Sequence, residues 1–217
     1  MTTTQTAPPL TVAPRWPAGA ALLAAQLLLV VGNLVGVDGD GADMMARLAA
    51  DATGEQLSIV AFLAAFTLLI GGVVGLVGLV PAGRGRGLAV TGAGLFVAGA
   101  MGFAGLTTSG VFNIGLARSV PPDQAVAIAD SAGSTGAGAV VVGLGLLALP
   151  LGLILTAFGV WRAGVTPLWA PIVVLVAFVV LTVAEGRIGG IAGDALLLLG
   201  LAPAARGLLR RWIPTPF

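Results

Sequence analysis

Carboxylic acids are the side chains of this sequence that could exchange a proton with a substrate near neutral pH. The 217 residues include nine Asp and Glu but no His, Cys, Tyr or Lys, so every basic residue is Arg. Glu55, Glu185 and Asp194 adjoin predicted membrane segments, where a carboxyl group held partly out of water can act as a proton donor. They are the candidate catalytic residues, and we rank Glu55 and Glu185 ahead of Asp194.

Simpler structural roles are also open to these acids. Asp194 stands where it could cap the N-terminus of the last predicted helix, which is why it ranks third. Glu185 could pair with Arg187, and we favour that ion pair over a role in proton transfer. Asp38 and Asp40 lie among glycines, so we expect them to be solvated and ionised, and a solvated carboxylate is a poor acid.

The missing residue types exclude several kinds of site. Without Cys there is no disulfide, iron–sulfur cluster or thiol nucleophile, and without His and Cys the usual haem and zinc sites lose their ligands. Asp38, Asp40 and Asp43 in "DGDGAD" are spaced like the start of a calcium loop, but the remaining ligands and the bidentate Glu are missing. We therefore predict no cofactor and no metal site. The net charge of +1 gives no indication of nucleic-acid binding.

The elements that position these acids are predicted to be membrane helices. Hydrophobic residues make up 58% of the sequence and charged residues only 9%, whereas a soluble domain carries about 25% charged residues. A bilayer core of about 30 Å requires roughly 20 apolar residues per helix. Six segments satisfy this length: 17–37, 56–80, 88–116, 136–161, 168–184 and 193–209. The predicted fold is all-α, a polytopic membrane helix bundle with six transmembrane helices.

The distribution of charge predicts the orientation of the bundle. If the six segments cross the membrane, seven of the ten Arg and none of the acids lie on one side. Three Arg and all nine acids lie on the other side. Since Arg concentrates in cytoplasmic loops, both termini are predicted to be cytoplasmic. The expected organisation is a disordered cytoplasmic tail at 1–16, a transmembrane domain at 17–211 and a second tail at 212–217, in the cell membrane and in contact with the lipid bilayer.

Two loops on the acidic side share a sequence pattern. "ARLAADATG" at 46–54 and "AVAIADSAG" at 125–133 have Ala, Asp and Gly at matching places. Asn33 and Asn113 precede these stretches by similar distances. The pattern is consistent with a tandem duplication of a helix–loop–helix unit.

Each of these loops is also predicted to contain a short helix. The first lies near 43–52, with Asp43 as its N-cap, and the second near 122–132. Thr53 and Gln56 fit a capping box at the start of the second membrane helix.

The two ends of the chain resemble a broad group of proteins. The runs "WPAGAALLAAQLLLVVGN" and "LLLLGLAPAARGLLRRW", with the acidic loop, resemble small multi-pass membrane proteins of actinobacterial type. This group includes membrane-bound terpene cyclases of bacterial indole-terpenoid pathways. The resemblance implies a cyclase or isomerase of a lipophilic prenyl substrate, in which an acidic side chain protonates an alkene or epoxide. It assigns no catalytic residue, because no motif in these runs is diagnostic.

Aromatic rings are the second feature that such a reaction needs, because their π faces can stabilise a carbocation. The candidates are Phe62, Phe66, Phe96, Phe103, Phe112, Phe158 and Phe178. For any one of them, lipid contact or core packing is the simpler role.

Three function classes remain open on sequence grounds. A cavity lined by a buried carboxyl group favours the acid-initiated cyclase or isomerase. A packed bundle with no cavity and a flat glycine-rich face favours a non-enzymatic membrane subunit or immunity-type protein. A cavity open to both sides of the membrane favours a small exporter of an apolar metabolite.

Overall fold

The computed structural model describes residues 16–184 and 186–210, and the regular structure within these ranges is helical throughout. The candidate residue Glu185 lies outside the described residues. A π-helical turn, Leu144–Ala148, joins the sixth and seventh α-helices into a continuous helical segment. In chain order the α-helices are α1 (Trp16–Val35), α2 (Gly41–Ala50), α3 (Thr53–Leu79), α4 (Arg86–Ser119), α5 (Pro122–Gly133), α6 (Gly136–Gly143), α7 (Leu149–Arg162), α8 (Trp169–Val183) and α9 (Gly186–Arg210).

Five of the described helical segments are long and apolar enough to cross a membrane. The predicted segment at 168–184 corresponds to α8, which is equally apolar but has 15 residues. At 1.5 Å per residue, such a helix is about 22 Å long. The protein is therefore all-helical with five candidate membrane-spanning helices, the architecture of an integral membrane protein. These five are Trp16–Val35, Thr53–Leu79, Arg86–Ser119, Gly136–Arg162 and Gly186–Leu209.

Apolar side chains cover the outside of the bundle as well as its inside. Val60 is 65% exposed and Leu147 is 71% exposed, as suits surfaces that face lipid tails. Inside, α1 packs against α3 and α9, α4 packs against α7, and α3 contacts α4. Leu22, Leu76 and Phe96 belong to the continuous core that these contacts enclose.

The charged loops lie at opposite ends of the bundle. Arg187 Nη2, at the start of α9, donates a hydrogen bond of 2.8 Å to the carbonyl oxygen of Gly36, just after α1. We call this end, which also carries α2 and α5, the acidic end. At the other end, the arginine end, Arg86 Nη1 donates to the carbonyl oxygen of Val80 over 2.7 Å.

Glycines determine how closely α4 and α7 approach each other. A Cβ atom at Gly92 would lie 2.7 Å from Thr156 Oγ1, and one at Gly99 or Gly152 would collide with the backbone of the facing helix. The glycines recur every seven residues, which is close to two helical turns, so they form one stripe on each helix. Such small-residue contacts are typical of membrane helices. The members of the stripes are Gly92 and Gly99 of α4, with Gly85 just before it, and Gly152 and Gly159 of α7, with Gly145 in the π-helical turn.

The two short helices predicted at the acidic end are confirmed as α2 and α5, which pack against each other. Met45 and Leu48 of α2 are buried in a small apolar cluster with Ile59 of α3. The predicted N-cap of α2 is wrong, because the helix begins at Gly41 and Asp43 lies inside its first turn.

The predicted capping box at the start of α3 is also wrong. α3 begins at Thr53, and the N-cap position is held by Ala52, which has no side-chain acceptor to offer. Asp51 Oδ1 instead accepts a hydrogen bond of 2.9 Å from the Thr53 N–H. This hydrogen bond holds the pKa of Asp51 below its usual range.

The start of α9 differs most from the sequence prediction. The predicted segments at 168–184 and 193–209 leave the glycine-rich stretch "GRIGGIAG" as a loop, but α9 begins at Gly186. These glycines are packing positions: a Cβ atom at Gly193 would collide with Leu181, and one at Gly190 would lie 2.7 Å from Asn33 Oδ1. Asp194 therefore lies inside a helix, and its predicted role as an N-cap is wrong.

Candidate functional site

A cavity of about 490 Å³ lies in the half of the bundle nearest the acidic end. α1, α3, α4, α7, α8 and α9 contribute to its walls, together with the π-helical turn. Its volume is in the usual range for small-molecule sites, about 300–1,000 Å³. The lining side chains are apolar except for Asn33, Thr182 and Asp194. The Thr182 hydroxyl donates to the carbonyl oxygen of Phe178 in its own helix, so its proton is already engaged.

Among the described residues that line this cavity, Asp194 is the one with an ionisable side chain. It is 4% exposed, whereas Asp38, Asp40 and Asp43 are exposed at the acidic end. A carboxyl group in an apolar membrane protein interior is costly and is usually retained for a function. Asp194 thus combines a proton-bearing group with an apolar space large enough for a ligand.

Asn33 fixes the orientation of this carboxyl group. Asn33 Nδ2 donates to Asp194 Oδ2 over 2.7 Å and to the carbonyl oxygen of Leu29 over 3.3 Å. Both atoms that this position contacts are oxygen acceptors. The amide is therefore oriented with its NH₂ group, and not its oxygen, towards them. Since Oδ2 accepts this hydrogen bond, Oδ1 is the oxygen that a proton on this carboxyl group would occupy. Gly190 leaves the space in which the Asn33 amide reaches α9.

Aromatic rings form much of the cavity wall. The Phe66 and Phe103 ring centroids are 4.6 Å apart with a 44° tilt, and Phe62 meets Phe103 edge to face at 6.5 Å. Of the seven candidate rings, Phe112 lies elsewhere and is 52% exposed, and Phe158 packs against Trp161 near the arginine end. The five that line the cavity are Phe62, Phe66, Phe96, Phe103 and Phe178.

The cavity ends near the middle of the bundle. On α9 its lining residues run from Gly186 to Leu197, and on α1 they are Leu29 and Asn33. Towards the arginine end, the space between the helices is filled by side chains that are at most 1% exposed. These include Leu22, Val73, Leu76, Val160 and Leu208. The described residues therefore form a chamber closed on the arginine side.

A second, polar chamber of about 250 Å³ adjoins the cavity at the acidic end. Its lining includes Glu55, which is half-buried at the start of α3, and Arg187 at the start of α9. Glu55 Oε2 accepts a hydrogen bond of 3.1 Å from the Val37 N–H. The polar chamber shares Asn33, Phe62 and Gly186 with the apolar cavity, so one boundary separates the two spaces.

The structure brings two of the three candidate acids to this region, Asp194 in the apolar cavity and Glu55 in the polar chamber. Glu185 lies outside the described residues. Arg187, its predicted partner, donates to the Gly36 carbonyl oxygen, and Asn33 is the partner of Asp194. Within residues 16–184 and 186–210, no group of three or more potential ligand residues could hold a metal ion.

Sequence reasoning missed the role of Asn33, which stands out in the sequence only as a member of the repeated loop pattern. Its partner is 161 residues away, so no local motif joins the two. The sequence offers one indication of this role: Asn33 is a polar residue in a largely apolar helix and faces the interior of the bundle. No protein-family model matches the chain, and neither a curated protein sequence nor a solved structure is significantly similar to it.

Proposed function

We propose that the protein is an intramembrane cyclase or isomerase of a lipophilic prenyl substrate, in which Asp194 donates the initiating proton. The observation that carries this proposal is the buried, oriented Asp194 carboxyl group in an apolar cavity lined by phenylalanine. A prenyl chain partitions into such a space from the bilayer without polar binding groups. The resemblance to membrane-bound terpene cyclases is in accord with this site.

In the proposed reaction, the Asp194 O–H bond breaks as its proton forms a C–H bond with an alkene carbon of the substrate. The electron pair of the broken bond stays on the carboxylate. The resulting carbocation is attacked by a second double bond, which closes a ring, or loses a proton from a neighbouring carbon, which gives an isomer. The phenylalanine rings stabilise the positive charge. Few nucleophiles compete, since the chain has no His, Cys, Tyr or Lys.

The two other function classes have less support. An exporter needs a path through the bundle, but fully buried side chains such as Leu76 and Leu208 fill the space between the cavity and the arginine end. A non-enzymatic subunit with a flat glycine-rich face would need its glycines at the surface. The stripe glycines of α4 and α7, such as Gly92 and Gly152, instead face each other inside the bundle, and Gly94 is among the glycines that do face outward. These two classes remain the alternatives if the enzyme proposal fails.

Isotope incorporation tests the proposed reaction. The purified protein in nanodiscs is incubated with farnesol or geranylgeraniol in D₂O, and products are identified by gas chromatography with mass spectrometry. We expect an isomeric product carrying one carbon-bound deuterium, because the initiating proton comes from an acid in exchange with solvent. The same product without deuterium, or no turnover of either alcohol or of their terminal epoxides, would count against the proposal.

We further propose that α8 is a sixth crossing, that both termini are cytoplasmic and that α1–α3 and α4–α7 are tandem duplicates. Support for the crossing comes from connectivity. α7 ends at the arginine end, where Gly159 faces Gly85, and α9 begins at the acidic end, which supports a path for α8 from one end to the other. The clustering of arginine at one end supports the orientation.

Cysteine labelling tests this orientation, since the chain has no native Cys. Ala82 is exposed in the loop between α3 and α4, and Ala46 is exposed on α2. In intact cells, we expect Ala46→Cys to react with a membrane-impermeant maleimide and Ala82→Cys to react only after permeabilisation. The opposite pattern would reverse the orientation. Reaction of both variants in intact cells would exclude an odd number of crossings between them.

A further inference from the structure

The polar chamber has no place in the proposed reaction as described so far, although it adjoins the acid that starts it. We infer that this chamber is the proton-supply route of the site. Water in the chamber restores the proton of Asp194, and Glu55 exchanges protons between that water and the solution at the acidic end. The inference rests on the proposed function, because it assigns a role to a chamber next to the Asp194 site.

The proton balance of the reaction defines what such a route would carry. Each initiation leaves Asp194 as a carboxylate, and its lost proton now forms a C–H bond of the substrate. When the final carbocation loses a proton, an electron pair forms the new alkene and the proton passes to a base. When that base is a chamber water at the boundary beside Asn33, and not the Asp194 carboxylate itself, one proton must return from the chamber to Asp194 Oδ1. The substrate and product are then isomers, and no proton is consumed overall.

The composition of the chamber suits it to hold water. Asp38, Glu55 and Arg187 line it, and since Asp38 and Arg187 are exposed, the chamber opens to water at the acidic end. The 250 Å³ volume corresponds to about eight waters at roughly 30 Å³ each. Ser58, which is 3% exposed, contributes a hydroxyl group to the same wall. An aqueous chamber therefore extends below the first turn of α3.

Glu55 lies at the right place for an exchange group. Its side chain is half-buried at the mouth of the chamber, and Oε2 is held by the Val37 N–H. Oε1 is left to exchange protons with water. Beside it, the hydrogen bond from Arg187 to the Gly36 carbonyl oxygen links the start of α9 to the chain just after α1 at the mouth of the chamber.

The boundary between the two spaces keeps chamber water out of the aromatic part of the cavity. Asn33, Phe62 and Gly186 belong to both linings. The Phe62 ring presents an apolar surface there, and the Asn33 amide contacts Asp194. Water therefore reaches the vicinity of the carboxyl group without entering the aromatic part of the cavity, where it would capture the cation as an alcohol.

Thiol accessibility tests the chamber without any substrate. Ser58→Cys replaces a small side chain with one of similar size, and Leu57 and Val60 bracket it along α3 on the lipid-facing surface, where they are 56% and 65% exposed. The probe is the impermeant cation methanethiosulfonate ethyltrimethylammonium, added on the side where Ala46→Cys reacts. We expect Ser58→Cys to react at least about tenfold faster than Leu57→Cys and Val60→Cys, because thiolates form in water and not in lipid. Equal rates for all three variants would overturn the aqueous chamber.

A second measurement tests the role of Glu55. Gln can still accept the Val37 N–H, so Glu55→Gln keeps the rim contact but cannot exchange a proton. We expect farnesol turnover to fall at least about tenfold, to be partly restored by added formic acid and to be retained in Glu55→Asp. A purely structural role would not give rescue by a small acid, so unrescued loss or wild-type turnover in Glu55→Gln would overturn the relay.

The outcomes separate the inference from the proposed function. If Asp194→Asn retains full turnover, the proposed function fails, at whatever rate the Ser58→Cys thiol reacts. If Asp194→Asn is inactive while Ser58→Cys is no more reactive than Leu57→Cys, only the inference fails.

Discussion

Replacing Asp194 with Asn is expected to lower farnesol turnover by about 10²–10⁴-fold, the usual contribution of a general acid. Asn has nearly the size of Asp, and its amide oxygen can still accept the hydrogen bond that Asn33 donates over 2.7 Å. The bundle should therefore keep its structure while losing the proton. Initial rates, compared at equal amounts of monodisperse protein from size-exclusion chromatography, measure the effect.

Asp40→Asn is the matched control for this substitution. Asp40 is exposed, and its side chain makes no capping hydrogen bond although it precedes α2. We expect its turnover to match that of the wild type. Full activity in Asp194→Asn together with an inactive Asp40→Asn protein would move the chemistry to the acidic loop and show that the site is misplaced.

Replacing Gly99 with Ala is expected to destabilise the bundle by about 1–3 kcal/mol, the usual cost of overpacking. The new Cβ atom would collide with the backbone of Leu149, and a backbone atom cannot move aside as a flexible side chain can. α4 and α7 would have to separate, which also disturbs the cavity wall that both helices form. The midpoint of unfolding in sodium dodecyl sulfate measures the loss.

Gly94→Ala provides the comparison on the same helix. A Cβ atom at Gly94 would meet no atom within 4 Å, and Ala is favoured over Gly in a helix by about 1 kcal/mol. We expect this variant to be as stable as the wild type or more stable. If both substitutions lowered the midpoint equally, close approach at Gly99 would not be the cause.

The helical membrane class was predictable from the sequence because a membrane helix consists of one long, continuous run of mostly apolar residues. The start of α4 was predicted within two residues and its end within three, since Arg86 and Arg118 mark where apolar sequence gives way to charge. The short helices α2 and α5 were predicted too. The N-caps were not, because Asp43 and Thr53 are good capping residues that the backbone places one or more positions inside their helices.

The candidate site was much less predictable, for two physical reasons. Glycine has the same sequence signature in a turn and in a helix contact, so the residues before Asp194 predicted a loop where α9 begins. The partner of Asp194 is Asn33, at the far end of the chain, and such pairs arise only when helices pack. The acids were found, but their distribution between two chambers required the fold.

The π-helical turn at Leu144–Ala148 has a consequence for how the cavity is encoded. Such a turn holds one residue more than an α-helical turn, and it places Gly145 and Leu146 in the cavity wall. Deleting one codon here would restore an ordinary α-helical turn, which has one residue fewer over nearly the same rotation, so α6 and α7 would keep nearly the same faces towards α4. The span would still be long and apolar enough for the membrane, but the cavity wall would lose one residue of this turn. In genetic terms, the shape of this cavity depends on the length of the segment as well as on the identity of its residues.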